Sequence, residues 1–237
     1  MENHHSITGV CAGNVLLFSG AMSAVERQDV LDSLLYTQVA TSRKFPAVSD
    51  FDQWQGAWRI AMRVSGWMVS KDSDEAFSAF EQGHFSVQEL IEAGQAKHLG
   101  PQPVCDITAS LDAVSLSPLA IDLLRVHTVD HGAATQGTGE FHDTDNLSLT
   151  GQTNWVRVQA GVVSPGALLT QVTVCFETRE AVDADFLQQT FSIQDVVGKV
   201  RVNCCVALLE EMDHEPLREF FITWLGGLRE EKILILS

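Results

Sequence analysis

Three histidines and two aspartates near the middle of the chain are the sequence's clearest candidates for a chemical site. His127 and His131 are four residues apart, so both would lie on one face of a helix that extends that far. His142 follows in the segment GEFHDTDN, together with Asp143 and Asp145. Imidazole and carboxylate groups are ligands that zinc accepts in tetrahedral sites. These five residues are therefore the candidate metal ligands, with one aspartate as fourth ligand or as a base.

A simpler interpretation is that the same residues are solvated polar groups around a loop, and the sequence favours it. In zinc proteases with the HExxH motif, a glutamate base follows the first histidine, whereas this chain has Thr128 there. Gly132 would end the helix directly after His131. Residues 143–146 carry oxygen ligands as a calcium loop does, but they lack the glycine and distant glutamate of an EF-hand.

No other motif fixes a reaction. The sequence contains no G-x-S-x-G, no P-loop and no G-x-G-x-x-G that follows a strand. A Cys–His hydrolase needs a cysteine whose pKa a nearby histidine lowers, and neither Cys105 nor Cys175 lies in a known local signature. Trp54 and Trp58 share one helix face and are candidate ligand-binding residues, although core packing is the favoured alternative.

Composition limits the class of protein. The 237 residues include 15 Lys and Arg against 31 Asp and Glu, a formal net charge of −16 at pH 7. The 45% hydrophobic content excludes an intrinsically disordered chain. The acidity argues against binding of nucleic acid, and equally against electrostatic docking on anionic lipid. Five irregularly spaced cysteines indicate reduced thiols and hence a cytoplasmic protein.

The N-terminal segment 1–22 is apolar and contains glycines, and we expect residues 23–237 to form a single domain. No Lys or Arg precedes the apolar stretch, so a cleaved secretory signal is not expected. No window supplies the ~20 apolar residues of a transmembrane helix. If the protein is exported, we expect a route that needs no classical signal peptide.

Helix signals dominate the first half of the chain. Ser-x-x-Glu capping boxes predict helices at 24–43 and 86–100, and a Trp-bearing amphipathic stripe predicts another from about 50 to 67. A Ser-Pro pair opens a helix at 119–126, with an earlier helix expected at 106–116.

In the second half of the chain, apolar residues recur at every second position. Alternation at 156–160 and 168–176 around a Ser-Pro-Gly turn predicts an antiparallel hairpin, after loop-like composition at 131–154. The segment 195–212 fits a strand or a helix, and its length favours a helix. Four further features are expected: a polar link at 70–75, a third strand at 187–193, a segment at 217–225 and a short strand at 233–236. The predicted fold class is α+β, in which a helical N-terminal half precedes a small antiparallel sheet with a C-terminal helix packed on it.

The stretch ERQDVLDSLLYTQVATSRKF, followed by a Trp-bearing helix that ends in SGWMV, resembles an uncharacterised family of small bacterial and fungal proteins. The later hairpin and the segment around Arg201 are similar to that family in order and length, so the resemblance would cover most of 24–225. The resemblance implies an α+β fold. It assigns no activity and no functional residue.

Three functional hypotheses follow from the sequence. The first is a non-enzymatic interaction protein that binds a protein partner through an acidic surface and an aromatic helix face. The second is an effector-type protein, associated with virulence, that meets a membrane surface through its apolar terminal segments. The third is a zinc-type hydrolase that uses the histidine cluster. The first two need no catalytic motif and are preferred, with no cofactor expected, while the oligomeric state stays open.

Overall fold

The computed structural model describes residues 6–77, 83–131 and 153–236. Most of the strands lie in one sheet. They are β1 (Ile7–Cys11), β2 (Asn14–Phe18), β3 (Trp67–Phe77), β4 (His84–Phe85), β5 (Val129–His131), β6 (Asn154–Ser164), β7 (Leu168–Thr178), β8 (Phe191–Ser192), β9 (Val196–Leu209) and β10 (Ile233–Leu236).

The helices confirm most of the local start signals. Ser23 and Glu26 form the predicted capping box, in which the Ser23 hydroxyl accepts a hydrogen bond from the Glu26 backbone N–H at 3.1 Å. Ser86 and Glu89 form the second one. The helices are α1 (Ala24–Lys44), α2 (Phe51–Val64), α3 (Val87–Ala96), α4 (Pro101–Ser115), α5 (Pro118–Thr128), α6 (Glu211–His214), α7 (Arg218–Leu225) and α8 (Leu228–Lys232).

The main sheet has eight strands in the order β10-β1-β2-β6-β7-β9-β3, with β5 paired to β6 beside this path. All pairings are antiparallel except that of β2 with β6. Two strands pair along the same edge of β6: β5 pairs with residues 154–156, and β2 pairs with residues 159–163. The edge is therefore interrupted at Arg157 and Val158, next to the β1–β2 turn.

One face of the sheet, here called the first face, is covered by α3, α4 and α5. Leu90, Leu111 and Leu124 from these helices belong to the same buried cluster as Val158 and Val174 from the strands. This cluster is made almost wholly of aliphatic and phenylalanine side chains.

The opposite face, the second face, is covered by α1, α2 and α7. Leu34, Trp54 and Phe221 belong to a second buried cluster that also includes Leu16 of β2 and Ala207 of β9. Helices therefore cover both faces, and the sheet is the middle layer of three.

The prediction of a helical half followed by a small antiparallel sheet is wrong. The sheet is large and mixed, and the N-terminal half supplies three of its strands, β1, β2 and β3. The apolar segment near the N-terminus forms the β1–β2 hairpin, whose tight turn places Gly13 at φ +96°. Its near-continuous run of apolar residues is typical of a strand that is buried on both faces. In the sequence alone, the same run resembles a secretory leader peptide or a helix.

Two further expectations on secondary structure are wrong. The segment 195–212 forms strand β9 rather than a helix, because its alternating side chains pair with β7 on one side and β3 on the other. The polar segment 70–75 lies in β3, the edge strand of the sheet, where charged residues are common.

Other expectations hold. The hairpin of β6 and β7 is confirmed in full register from Asn154–Thr178 to Ser164–Leu168, and β10 is confirmed as the last strand. Within the described ranges, no single helix is long and apolar enough to cross a membrane, although α4 and α5 together, bent by 99°, would pass on length and composition.

Candidate functional site

Three depressions border helix α1. The first, the α1–α2 groove, has a volume of about 240 Å³ and lies between the two helices. The second, the His127 cavity, measures about 270 Å³ and lies between α1, α8 and the end of α5. The third, the Arg218 cleft, measures about 470 Å³ and lies at the start of α1.

The α1–α2 groove is lined mainly by apolar side chains that remain open to solvent. Tyr36 and Ala40 line it from α1, while Ile60 and Val64 line it from α2. Ile60 is 65% exposed and Val64 is 59% exposed. Large aliphatic side chains that are grouped and exposed in this way mark interaction surfaces.

Positive charge lies beside this groove. Lys44 at the end of α1 lines it. Near Tyr36, the ring of Phe220 makes an edge-on contact with the Tyr36 ring at 5.8 Å and is itself 47% exposed. The apolar surface is therefore continued by α7.

The His127 cavity lies where the edge of β6 is interrupted. Gln38, Ser42 and Arg43 line it from α1, and Lys232 lines it from α8. His127 reaches it from the last turn of α5. These residues come from distant parts of the chain.

Gly13 allows the cavity walls to approach one another. A Cβ atom at this position would lie 3.2 Å from the Cβ of His127 and 3.3 Å from Nε2 of Gln38. The positive φ at the same residue also disfavours any other amino acid. The β1–β2 turn therefore positions α5 and α1 around the cavity.

Two polar atoms of this cavity lack hydrogen-bond partners within the described residues. Oε1 of Gln38 and Nε2 of His127 are both buried in this way. The Gln38 side chain is only 2% exposed. A buried polar atom without a partner costs about 1–3 kcal/mol, so it needs a water or a ligand that completes its bonding.

The electrostatic environment of the cavity is positive. Burial lowers the pKa of His127 to about 4, and the nearby charges of Lys232 and Arg157 lower it further. The imidazole is therefore neutral at pH 7, when one ring nitrogen can donate a hydrogen bond and the other can accept one. Neighbouring positive charges disfavour a bound cation and favour an anion.

Arg157 is the buried charge behind this cavity. Its guanidinium Cζ lies 3.9 Å from the centroid of the Trp54 ring, a cation–π contact. Burial lowers the pKa of Arg157 to about 10, although the nearby Cys175 and Asp130 act in the opposite direction. The side chain therefore stays charged at pH 7, with Nη1 lacking a hydrogen-bond partner among the described residues.

The Arg218 cleft is built differently, because the charge of Arg218 is paired with carboxylates. Arg218 makes two hydrogen bonds to the carboxylate of Asp29, at 2.8 and 2.6 Å. His214 is buried with Nε2 3.6 Å from the same carboxylate and Nδ1 3.2 Å from the Ser65 carbonyl. These contacts join the start of α1 to the C-terminal helices, which is a structural role.

Four of the five cysteines are buried, and three of these four, Cys11, Cys175 and Cys205, are not suited to act as nucleophiles. Burial raises the pKa of Cys175 to about 12, and burial together with Asp72 raises the pKa of Cys205 to about 12. Burial and the nearby Asp32 also raise the pKa of Cys11. A thiol needs a lowered pKa to react at pH 7.

The predicted metal ligands do not form a described cluster. His142, Asp143 and Asp145 lie outside the described residues. Helix α5 ends at Thr128 and His131 belongs to β5, so His127 and His131 do not share a helix face. Within 6–77, 83–131 and 153–236, no group of three His, Cys, Asp or Glu side chains could hold a metal ion. The zinc site remains a prediction.

The two candidate ligand-binding tryptophans lie in the interior. Trp54 and Trp58 are both buried, with ring centroids 6.3 Å apart in a stacked arrangement. The Trp54 ring nitrogen donates a hydrogen bond to the Ser42 hydroxyl at 3.3 Å. Their role in ligand binding remains a prediction, whereas their role in packing α2 on the sheet is evident from the structure.

The chain matches no family model, no curated protein and no solved structure. Functional inference therefore depends on the geometry described above. Sequence analysis missed Gln38, Arg43, Arg157 and Lys232. The one available signal was Arg157, a charged residue that alternates with valines in a predicted strand. A strand with one face in solvent shows the same alternation, so the pattern did not indicate a buried charge.

Proposed function

We propose that this protein is a non-enzymatic interaction protein whose α1–α2 groove binds an amphipathic helix of a partner protein. The observation that carries the proposal is the exposure of Ile60 and Val64 in a groove that Lys44 also lines. An exposed aliphatic pair with a cation in the same groove suits a helix with apolar residues on one face and acidic residues along its border.

The shape of the groove supports a helical occupant. Ala40 and Lys44 of α1 are four residues apart, as are Ala57 and Ala61 of α2. Rows of residues at this spacing form the ridges and grooves into which another helix packs. Alanines on both walls leave room for side chains to enter between α1 and α2.

Charge complementarity selects the type of helix. The chain has a net charge of −16, so most of its surface repels an acidic partner at long range. Lys44 is a cation in the lining of the groove, and it would pair with an acidic residue of the partner there. We therefore expect an acidic helix to be held specifically at this surface.

A pair of designed peptides tests the proposal. One carries a leucine face bordered by glutamates, and the other has the same sequence with lysines in place of the glutamates. Fluorescence polarisation should show that the glutamate peptide binds at least about tenfold more tightly, because each charged contact contributes on the order of 1 kcal/mol. Equal binding of the two peptides, or no binding, would contradict the proposal.

Matched variants locate the binding surface. Ile60→Asp should abolish binding of the glutamate peptide, because a carboxylate would replace the exposed aliphatic contact and repel the acidic helix. Leu119→Asp is the control, since Leu119 is 66% exposed on α5, on the opposite side of the sheet. If both variants bind alike, the groove is not the site.

Two other occupants are outcomes of the same experiment. A second copy of this chain would appear as a dimer in analytical ultracentrifugation that Ile60→Asp dissociates. A membrane surface would appear as co-sedimentation with phosphatidylcholine and phosphatidylserine vesicles that depends on Ile60. Either result without peptide binding would overturn the proposal of a helical protein partner.

A further inference from the structure

We infer that the His127 cavity binds a small organic acid that carries a hydroxyl group, with its carboxylate between Arg43 and Lys232 and its hydroxyl at Gln38. The site is separate from the α1–α2 groove, because it opens beside other residues of α1 and involves α5 and α8 instead of α2. The inference therefore does not depend on the proposed partner helix.

The positive charge of the cavity selects an anion. Arg43 and Lys232 line the cavity, and Arg157 lies close enough to His127 to influence its protonation. A chain with only 15 Lys and Arg among 237 residues places two of them in the lining of one small cavity. Charge-assisted hydrogen bonds to a carboxylate are among the strongest that such residues make.

The side chain of Arg43 and the backbone of Lys232 are both held in place beside the cavity. The Arg43 guanidinium Cζ lies 4.8 Å from the centroid of the Trp224 ring, which limits its rotamers. Lys232 is fixed through its backbone, because its carbonyl accepts a hydrogen bond from the Ala12 N–H at 3.0 Å. Such preorganisation reduces the entropy that binding would otherwise cost.

Gln38 indicates the second feature of the ligand, which is a hydroxyl group. Its side chain is 2% exposed, it lines the cavity, and its Oε1 has no hydrogen-bond partner within the described residues. A carbonyl oxygen only accepts hydrogen bonds, so the missing partner is a donor, as a ligand hydroxyl would be. His127 offers a second polar atom, Nε2, that lacks a partner in the same part of the chain.

The size and walls of the cavity define the rest of the ligand. Its volume of about 270 Å³ lies just below the ~300–1,000 Å³ range of pockets that hold drug-sized molecules. Val39 and Leu228 provide apolar walls between the polar groups. A single ring or a short carbon skeleton would fill this space, with the acid and the hydroxyl at opposite ends.

Isothermal titration calorimetry with 4-hydroxybenzoate as the probe tests the inference on the whole chain. We expect saturable binding, and binding at least about tenfold weaker for 4-hydroxybenzyl alcohol, which lacks the carboxylate, and for benzoate, which lacks the hydroxyl. Inorganic phosphate separates an organic acid from a simple anion site. Tighter binding of phosphate than of 4-hydroxybenzoate, or no binding of 4-hydroxybenzoate, would overturn the inference.

Three variants locate the site. Lys232→Met should weaken binding of 4-hydroxybenzoate about tenfold or more, and Gln38→Met should remove the preference over benzoate. Lys199→Met is the control, because it makes the same chemical change at an exposed position of β9. Lys232 is only half-buried, so its variant should fold even if Gln38→Met does not. Equal affinity of the Lys232→Met and Lys199→Met proteins would place the binding elsewhere.

Discussion

The two faces of the sheet are both covered by helices, but they receive side chains of different polarity. Strand β6 points Val156, Val158 and Ala160 toward α3, α4 and α5, where they join an apolar cluster. The same strand points Arg157 and Gln159 toward the second face, where they are equally buried. Two faces of one strand therefore have the same burial and opposite chemistry.

The polar groups of the second face are only partly satisfied. The Gln171 amide donates to the Asn14 side-chain oxygen at 2.7 Å, and the Gln159 amide donates to the Thr173 hydroxyl at 3.2 Å. Oε1 of Gln159, like that of Gln38, lacks a partner within the described residues. Incomplete buried networks cost stability. Strands β6 and β7 therefore present apolar side chains to the first face and several buried polar side chains to the second face.

The largest expected loss of stability comes from a substitution in β7, on the side of the strand that faces the first face. Phe176 of β7 packs on the first face between the rings of Phe85 and Phe191, with centroids at 5.1 and 5.0 Å. Phe176→Ala should lower the free energy of unfolding by about 3–5 kcal/mol, as measured by urea denaturation, because it leaves a cavity among aromatic rings.

Thr173→Val on the second face of the same strand is the matched change. It removes one hydrogen-bond acceptor for Gln159, so we expect a loss of only about 1 kcal/mol. Similar losses for Phe176→Ala and Thr173→Val would contradict this difference between the apolar and the polar side chains of β7.

Arg157→Met addresses the second face directly and should have a smaller effect. Methionine keeps much of the volume and can still pack on Trp54, while the unpartnered Nη1 disappears. Replacement of a buried charge by an apolar group of similar size is often neutral or stabilising. We expect a change in unfolding free energy within about 1 kcal/mol, together with weaker binding of 4-hydroxybenzoate. A loss of several kcal/mol would show that Arg157 is chiefly structural.

A further expected effect is a pH dependence of stability that arises from His127. Its pKa is about 4 in the folded chain and about 6.5 when unfolded, so the unfolded state binds more protons between these values. The contribution of His127 to stability is complete above about pH 6.5 and falls as the pH decreases toward 4. His127→Gln should therefore lose less stability than the wild type over this range in urea denaturation.

Nuclear magnetic resonance measures the pKa of His127 directly in the folded protein. The imidazole signals of His127 should titrate near pH 4 in the wild type and at a somewhat higher pH in Lys232→Met, where one positive neighbour is gone. Titration near 6.5 in both proteins would mean that the imidazole is solvated and that the cavity is not a closed polar site.

Local signals in the sequence predicted the helices well. The capping boxes at Ser23 and Ser86 and the Ser117–Pro118 start all open helices in the structure, because such signals involve residues within one helical turn. The fold class failed because sheet membership depends on distant partners. Strand β9 is defined by its pairing with β3 and β7, and neither neighbour can be read from residues 195–212.

The groove and the cavity described here could not be predicted from the sequence for a related reason. The alternation of valines with Arg157 and Gln159 predicts a strand with one face in solvent, and only the position of α1 and α2 shows that this face is covered. The His127 cavity joins parts of α1, α5 and α8, so no spacing in the sequence reveals it. The exposed Ile60 and Val64 were equally hidden, since a helix stripe does not show which neighbours are present.

The parallel pairing of β2 with β6 has a consequence for the synthesis of the chain. β1 and β2 lie beside β6 and β10, whose residues are translated much later. Roughly 140 residues separate β2 from β6, so at ~5–20 residues per second the apolar hairpin waits about 7–28 s on the ribosome for its neighbour. A nascent hairpin of this kind is a natural substrate for chaperones that bind at the exit tunnel.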